Sequence, residues 1–398
     1  MKIEVHIIQP LPVNRMNTDR EGRPKTIPIG GYTRARISSQ AQKRAARMYT
    51  HEYRLLDDDQ RAWRTRHFTE LLIERLLERG VETAEAEPLA ARGLAAVRLG
   101  HKQERDKKTA ELVNEYLIFY SDRELDGLSE VLIEYREEIL AVQLPEAEVE
   151  AEQTNAQPSK KPRRASDTKR KIQSHFSKAV INDLKRIFTT NRTLELALYG
   201  RELADLPTGS VDGQVQVAHA FAVNNTLQTE DFFVTIDDRS EGAGMLGSVG
   251  ITAPTLYRVA AVNLAQLARE VGSEAAAARG ARAFLEAFTL AMPSGGQNSF
   301  FSMTTPSFVL FRRVMRGHAL TLAPAFEEPV RPEGKRSLSE VAVERMDAYV
   351  RDVKRFFPQV ERDLECCVNT TAYEYQNAKV MANLSKAIDY VLNGFGGT

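Results

Sequence analysis

The stretch of sequence that sets the first strand-to-helix unit of this chain is GGYTRARISSQAQKRAAR, Gly30–Arg47. Its first half predicts an extended segment entered through a glycine pair, which frees the backbone for close approach to a ligand. Arg34 and Arg36 occupy alternate positions of that segment and therefore share one face.

The second half of the stretch predicts a helix, with Ser39 as N-cap and Gln42 completing a capping box. Lys43 and Arg47 stand four residues apart and are expected on one helix face. No acidic residue occurs between positions 22 and 51. Because a helix N-terminus attracts anions, the stretch predicts a phosphate-backbone site. The alternative is a solvated basic helix with a well-capped start, and this stretch alone leaves both interpretations open.

The bulk composition is that of an ordinary globular protein. The chain has 398 residues, 42% hydrophobic and 27% charged, with 54 basic and 54 acidic residues, so its formal net charge is zero. The basic stretch is therefore a local patch. The two cysteines, Cys366 and Cys367, are adjacent, which excludes a disulfide framework and fits no metal-binding spacing. No apolar run is long enough for a membrane span and the N-terminus resembles a strand rather than a signal peptide, so we expect a cytoplasmic protein.

Hydrophobic periodicity predicts an α+β core with insertions. Alternation at Ile3, Val5 and Ile7 predicts a strand, and amphipathic spacing from about Arg54 predicts a helical subdomain. Further strands are predicted at 215–223, 257–264 and 300–311, and helices at 273–292, 338–357 and 373–392.

Residues 146–171 combine an acidic block with a basic one and contain no aromatic residue. This composition predicts disorder. The segment is interpreted as a flexible linker, with contact to nucleic acid as the alternative.

An apolar run, Phe232-Phe233-Val234, lies between acidic residues and is followed by a glycine-rich loop. Two extended arms around turn-prone residues predict a protruding ribbon, with an ordinary core strand as the alternative. Asp237 and Asp238 end the run, where acids usually form turns, so a metal role is not favoured.

Catalytic and metal-binding patterns are not found in the sequence. The histidines are scattered, and His219 is expected in the core because it falls on the apolar face of a predicted strand. Cys366 and Cys367 are interpreted as ordinary helix residues. A bare G-x-G-x-x-G begins at Gly242, but no helix is predicted after it. We therefore expect no enzyme activity, no metal site and no cofactor.

Two loops suit contact with a polyanion. The first contains Gly295, Gly296, Gln297 and Asn298, and follows a predicted helix. Its alternative interpretation is a helix C-cap followed by a turn. The second loop, Asn14–Arg20, has less support.

An ordered set of short motifs resembles a known family. The set comprises Gly30–Gly31, Arg36–Gln40, Lys43–Ala45, Leu198–Arg201, Val211–Gly213, Ala218–Ala220, Ile236–Asp238, Tyr257–Arg258 and Asn263–Leu267. It is similar to the CasC family, the repeated backbone subunit of the type I-E CRISPR Cascade complex, which serves antiviral defence. The resemblance is good over the first fifty residues and roughly 198–311, and loose elsewhere.

The resemblance implies a hand-like protein with a modified RNA-recognition-type, ferredoxin-like palm. It places the palm at 1–50, 199–225 and 251–398, the helical fingers at 51–198 and a β-hairpin thumb at 226–250. It also implies that several copies polymerise along one crRNA, bind its backbone without reading sequence and present it for pairing with target DNA. The implied partners are crRNA, target DNA, further copies of the chain and other Cascade subunits, in a ribonucleoprotein without a membrane.

The residues that the resemblance and the loop analysis assign to RNA binding share polarity or backbone accessibility. They are Arg34, Arg36, Ser38, Ser39, Gln40, Lys43, Arg44, Arg47, Gly295, Gly296, Gln297 and Asn298. Phe232 and Phe233 are the expected thumb residues that kink the guide and contact a displaced base.

Two alternative functions stay open at this point. The backbone subunits of type III effector complexes share the implied fold and cleave target RNA with an acidic loop residue, for which Asp19 is the candidate. A stand-alone RNA-binding regulatory protein is the other alternative.

Overall fold

The computed structural model describes residues 1–99, 103–105, 112–143, 171–190, 192–239, 243–359 and 362–396. The chain divides into two compact units. The first contains Met1–Leu56 and Gln214–Thr398, and the second contains Asp57–Gly213. All but the last residue of the segment predicted to be disordered, 146–171, lies outside the described residues.

The chain begins in the first unit with a buried strand. Strand β1 spans Lys2–Pro10, as its alternation predicts, and β2 (Thr26–Ile29) and β3 (Tyr32–Ile37) form a hairpin. Gly30 and Gly31 form the turn of this hairpin, with φ angles of 58° and 83°. Their conformational freedom therefore serves a tight turn. Helix α1 follows at Ser39–Glu52.

The second unit is mainly helical. Its helices are α2 (Phe68–Glu78), α3 (Thr83–Ala96), α4 (Asp122–Glu134), α5 (Arg136–Ala141), α6 (Lys178–Thr190) and α7 (Leu194–Tyr199). Short strands β4 (Trp63–Thr65) and β7 (Ile118–Tyr120) pair with each other, as do β5 (Gln103–Arg105) and β6 (Leu112–Asn114). The helices pack around one apolar cluster that includes Phe68, Leu128 and Phe188.

The remaining elements return to the first unit. The strands are β8 (Val215–Val217), β9 (Ala220–Ala222), β10 (Thr229–Ile236), β11 (Ala243–Ile251), β12 (Thr255–Asn263), β13 (Phe308–Val314), β14 (Arg362–Asn369) and β15 (Lys379–Val380). The helices are α8 (Leu264–Val271), α9 (Glu274–Leu290), α10 (Gln297–Phe300), α11 (Leu338–Phe356) and α12 (Leu384–Leu392).

A nine-stranded sheet organises the first unit, in the order β15-β14-β13-β1-β12-β9-β3-β2, with β8 also paired to β12. All pairs are antiparallel except β14 with β15. This mixed sheet with its helices confirms the α+β class.

Helices cover both faces of this sheet. Consecutive strand residues point to opposite faces. The thiol of Cys366 contacts the carbonyl of Ala387 on α12, whereas Cys367 belongs to the apolar cluster that contains Met346 of α11. Helix α12 packs against α9, and α9 packs against α1. Helices α1, α9 and α12 therefore lie on one face, and α11 lies on the other.

Several local predictions are wrong. The predicted strand at 215–223 is interrupted at Ala218 and His219, and the strand expected at 300–311 begins only at Phe308. Cys366 and Cys367 lie in strand β14, not in a helix, and only 384–392 of the predicted helix at 373–392 is helical. Burial raises the pKa of each thiol to about 12, which is consistent with a packing role.

Candidate nucleic-acid interface

The first turn of α1 is capped one residue earlier than the sequence predicts. Ser38 is the N-cap, and its hydroxyl accepts a hydrogen bond from the backbone N–H of Ala41 at 3.2 Å. The N–H of Ser38 donates to Oδ1 of Asn17 at 2.9 Å. Ser38 is buried and serves as a helix cap, and its contact with RNA stays a prediction. The first turn contains no acidic residue, so nothing offsets the positive end of the helix dipole there.

His219 completes this helix start, although the sequence predicts it in the core. Its Nδ1 lies 3.1 Å from the backbone nitrogen of Ser39 and 3.1 Å from Nη1 of Arg36. Both partners can only donate, so Nδ1 is the acceptor and the proton is on Nε2. Burial together with the charges of Arg36 and Lys25 lowers the pKa of His219. Period-2 alternation could not reveal this role, because the strand is interrupted at this residue.

The basic residues of the stretch divide into buried and accessible ones. Arg34 is fully buried, and its guanidinium donates to the carbonyls of Ala222, Val223, Phe326 and Glu327 at 2.6–3.1 Å. Both terminal nitrogens of Arg34 therefore hold the main chain together, and its predicted contact with phosphate stays untested.

Lys43 and Arg47 both lie in α1, four residues apart, as predicted. Arg47 is buried, whereas Lys43 is half-buried, and the contact of Arg47 with RNA stays a prediction. Arg36, Ser39 and Lys43 are half-buried, whereas Gln40 and Arg44 are exposed. These five side chains are at least partly exposed at the start of α1, and their contact with RNA stays a prediction.

A buried arginine of β12 positions α1 on the sheet. Arg258 donates to Oε1 of Gln42 at 3.3 Å and to Oε1 of Gln9 at 2.6 Å. It also contacts the carbonyls of Phe288 and Ala291, near the end of α9. Burial lowers the pKa of Arg258 to about 9. Gln42 donates to the carbonyl of Ala218 at 2.9 Å, so the predicted capping-box residue instead anchors α1 to the break between β8 and β9.

The second predicted site, Gly295–Asn298, is only partly accessible. The Gln297 side chain bonds within its own turn, donating to Oγ of Ser302 and accepting from the Ser302 N–H, both at 3.0 Å. The amide of Gln297 thus holds its own turn, and its contact with RNA stays a prediction. Gly295, Gly296 and Asn298 are exposed. Helix α9 ends at Leu290, before these glycines, so they are not its C-cap.

The loop after β1 connects these features. A Cβ on Gly295 would lie 2.5 Å from the carbonyl oxygen of Met16, so the two backbones touch. Asn14 forms a two-way backbone bridge with Thr252, which follows β11, and Asn17 supports the start of α1. This loop therefore joins the 295–298 turn, the start of α1 and the base of the β10–β11 hairpin.

A groove of about 540 Å³ runs between α1 and the segment 290–303. Its lining combines the apolar side chains of Met48, Tyr49 and Met303 with the guanidinium of Arg44. Glu52 is the one acidic residue among the described residues that line it.

The β10–β11 hairpin forms its own two-stranded sheet. Every residue of β10 is exposed, with Phe232 exposed to 65% and Phe233 to 38%. Phe233 lies opposite Gly247, where a Cβ would come within 2.5 Å of the ring. The ring thus covers the glycine, and the core-strand interpretation of this segment is wrong. Asp237 accepts a hydrogen bond from the N–H of Arg239 at 2.8 Å, consistent with a turn-forming residue.

No cluster of three or more His, Cys, Asp or Glu side chains suited to a metal ion occurs among the described residues. Asp19, the candidate for the cleaving alternative, is exposed and accepts a hydrogen bond from the N–H of Arg23 at 2.9 Å. None of the helices in the described ranges is both long and apolar enough to cross a membrane.

Comparison with known proteins places this architecture in a family. A model of the family described as CT1975-like protein matches residues 3–392. The chain belongs to this family. A sequence comparison with curated proteins found no match.

Two solved structures are similar over almost their whole length. One, a chain of a complex described as "CRISPR RNA-guided surveillance complex, pre-nicking", has 27% identity and a TM-score of 0.77, with 98% of each chain covered. A second, from a "CRISPR RNA-guided surveillance complex", has 24% identity and a TM-score of 0.67, also over 98% of each chain. The second likeness shows a shared fold.

Proposed function

We propose that this chain is the guide-binding backbone subunit of a type I-E Cascade complex. In this proposal it binds the phosphate backbone of crRNA without sequence specificity and catalyses no reaction. Several copies polymerise along one guide, and the assembly with other Cascade subunits presents the guide to target DNA.

The observation that carries this proposal is the match, over 98% of both chains, to a chain of a CRISPR RNA-guided surveillance complex. The start of α1 supports it independently. Arg36, Lys43 and Arg44 are accessible there, next to a helix N-terminus without acidic residues. Phosphate contacts of this kind hold a nucleic acid in place without reading its sequence.

The hand-like description can be assigned to the observed parts. The nine-stranded sheet unit corresponds in the proposal to the palm, the unit Asp57–Gly213 to the fingers and the β10–β11 hairpin to the thumb. The exposed apolar residues of the hairpin support a role in contacts outside the monomer.

The test is RNA binding by a double variant, Lys43→Ala with Arg44→Ala, measured over a series of salt concentrations. We expect weaker binding to all single-stranded RNA sequences alike. Each lost phosphate contact should also reduce the slope of log K against log salt by about 0.7.

A matched control carries the same charge change elsewhere. Arg351→Ala with Arg355→Ala removes two exposed cations from α11, on the opposite face of the sheet. The control should bind like the wild type. An equal loss in both double variants, or a loss for one RNA sequence alone, would contradict the proposed site.

A further inference from the structure

Phe301 combines strong exposure with an unusual backbone. It follows α10 in the left-handed region, at φ 43° and ψ 55°, and its side chain is 90% exposed. A bulky residue at positive φ is strained, and such strain persists where the surroundings impose it, often at functional sites. Folding of the monomer gives little reason for a phenylalanine here, because its ring buries almost no surface.

The backbone around Phe301 is held in place on both sides. The Phe301 N–H donates to the carbonyl of Gln297 at 2.8 Å, and the Gln297 side chain holds the next residue, Ser302, through two hydrogen bonds of 3.0 Å. Ser302 is fully buried. The exposed ring is therefore presented by a fixed turn, and little ordering is needed when a ligand covers it.

Two arginines, Arg44 and Arg15, and one acidic residue, Glu52, lie around this turn. Gly295 and Met303, which flank Phe301 in sequence, line the same groove as Arg44. The aliphatic part of Arg15 lies against Gly296, at 3.0 Å from where a Cβ would stand. A ligand that suits both the cations and the bare ring carries phosphate and a flat aromatic group. A nucleotide of single-stranded RNA has both.

We propose that Phe301 is a stacking platform for a base of the bound RNA. This inference rests on the proposed RNA binding and adds a contact to the base face, separate from the phosphate contacts at α1. Stacking on an aromatic ring tolerates any base, because every base has a π-face. Phe301 would therefore add affinity without sequence preference.

The test compares Phe301→Ala, Phe301→Leu and Phe301→Trp for binding to oligouridine and oligoadenosine. Alanine and leucine should each weaken binding to both oligomers by about 5- to 150-fold, the equivalent of one lost stack. The slope of log K against log salt should not change, because the substitutions remove no cation. Tryptophan should keep the affinity, and RNA should quench its fluorescence above the background from Trp63, the one tryptophan of the chain.

Phe301→Gly checks that weaker binding does not reflect poor folding. Glycine removes the strain at positive φ, so this variant should melt no lower than the wild type while binding RNA as weakly as Phe301→Ala. Phe356→Ala is the matched control, since Phe356 is an exposed phenylalanine on α11 and should not affect binding.

The outcomes separate this inference from the proposed function. Wild-type binding with unchanged affinity in Phe301→Ala overturns the stacking role alone, and so does full affinity in Phe301→Leu. If Phe301→Ala loses self-association but keeps its affinity for a short RNA oligomer, the ring belongs to a protein contact. That result also overturns the stacking role. Absence of RNA binding by the wild type overturns the proposed function together with this inference.

Discussion

At the scale of single residues, the basic stretch serves both the fold and the candidate site. Arg34 and Arg258 direct their guanidinium groups at main-chain carbonyls, which they hold from within the protein. Burying such a charge is tolerable only because these hydrogen bonds replace water. The accessible Arg36 instead meets the imidazole of His219, at the start of α1. Two arginines at alternate positions of β3 thus have different roles.

His219 gives a prediction for pH. Because the lowered pKa favours the neutral ring, its hydrogen bonds to Ser39 and Arg36 should be complete above the ordinary value of 6.5 and lost progressively as the pH falls below it. A nuclear magnetic resonance titration of the ring should give a pKa below 6.5 and a proton on Nε2.

The control for this titration is Arg36→Ala, which removes one donor and one repelling charge and should raise the pKa of His219 relative to the wild type. A wild-type pKa above 6.5, or a proton on Nδ1 at neutral pH, would contradict the geometry at the helix start.

At the scale of elements, the β10–β11 hairpin differs most from the rest of the chain. Apolar side chains are exposed on both of its strands, among them Phe232, Ile236 and Leu246. A monomeric protein rarely leaves such a patch bare. In the proposed assembly, a neighbouring copy and a displaced base cover it.

The double variant Phe232→Ala with Phe233→Ala should therefore impair assembly on RNA and leave the melting temperature of the monomer nearly unchanged. Both rings lie on a strand of a separate two-stranded sheet whose residues are all exposed, so their loss should remove little of the buried core. Phe357→Ala, at an exposed phenylalanine next to α11, is the control and should assemble normally. A loss of about 3–5 kcal/mol in the free energy of unfolding would instead show that the two rings belong to a core.

At the scale of the whole molecule, one loop connects the candidate contacts. The segment after β1 touches the 295–298 turn, the start of α1 and the hairpin base through Met16, Asn17 and Asn14. The proposed phosphate contacts, the proposed stacking residue and the hairpin thus belong to one continuous unit. This arrangement is what a subunit needs to hold RNA and meet its neighbour at once.

The whole molecule is also expected to lack nuclease activity. The RNA-bound protein, incubated with complementary RNA and Mg²⁺, should leave that RNA intact. Asp19→Ala should behave identically, since this carboxylate supports a local turn. Cleavage by the wild type that Asp19→Ala abolishes would place the chain with the cleaving type III subunits.

The sequence predicts what depends on local periodicity. Alternating residues predict β1 and β12, and alanine-rich amphipathic spacing predicts α9. Prediction from the sequence fails where residues far apart in the chain determine the partners of a side chain. The carbonyls that bury Arg34 come from positions 188–293 residues away, and nothing in its own stretch reveals them. The role of His219 similarly requires the contact between β3, α1 and the break after β8.

Assembly on RNA of increasing length tests the central claim most directly. Native mass spectrometry should show more copies of the chain per RNA as the RNA lengthens, in regular steps of a constant number of nucleotides. That result is expected of a subunit that polymerises along a guide. One copy per RNA at every length would contradict the account and support a stand-alone RNA-binding protein.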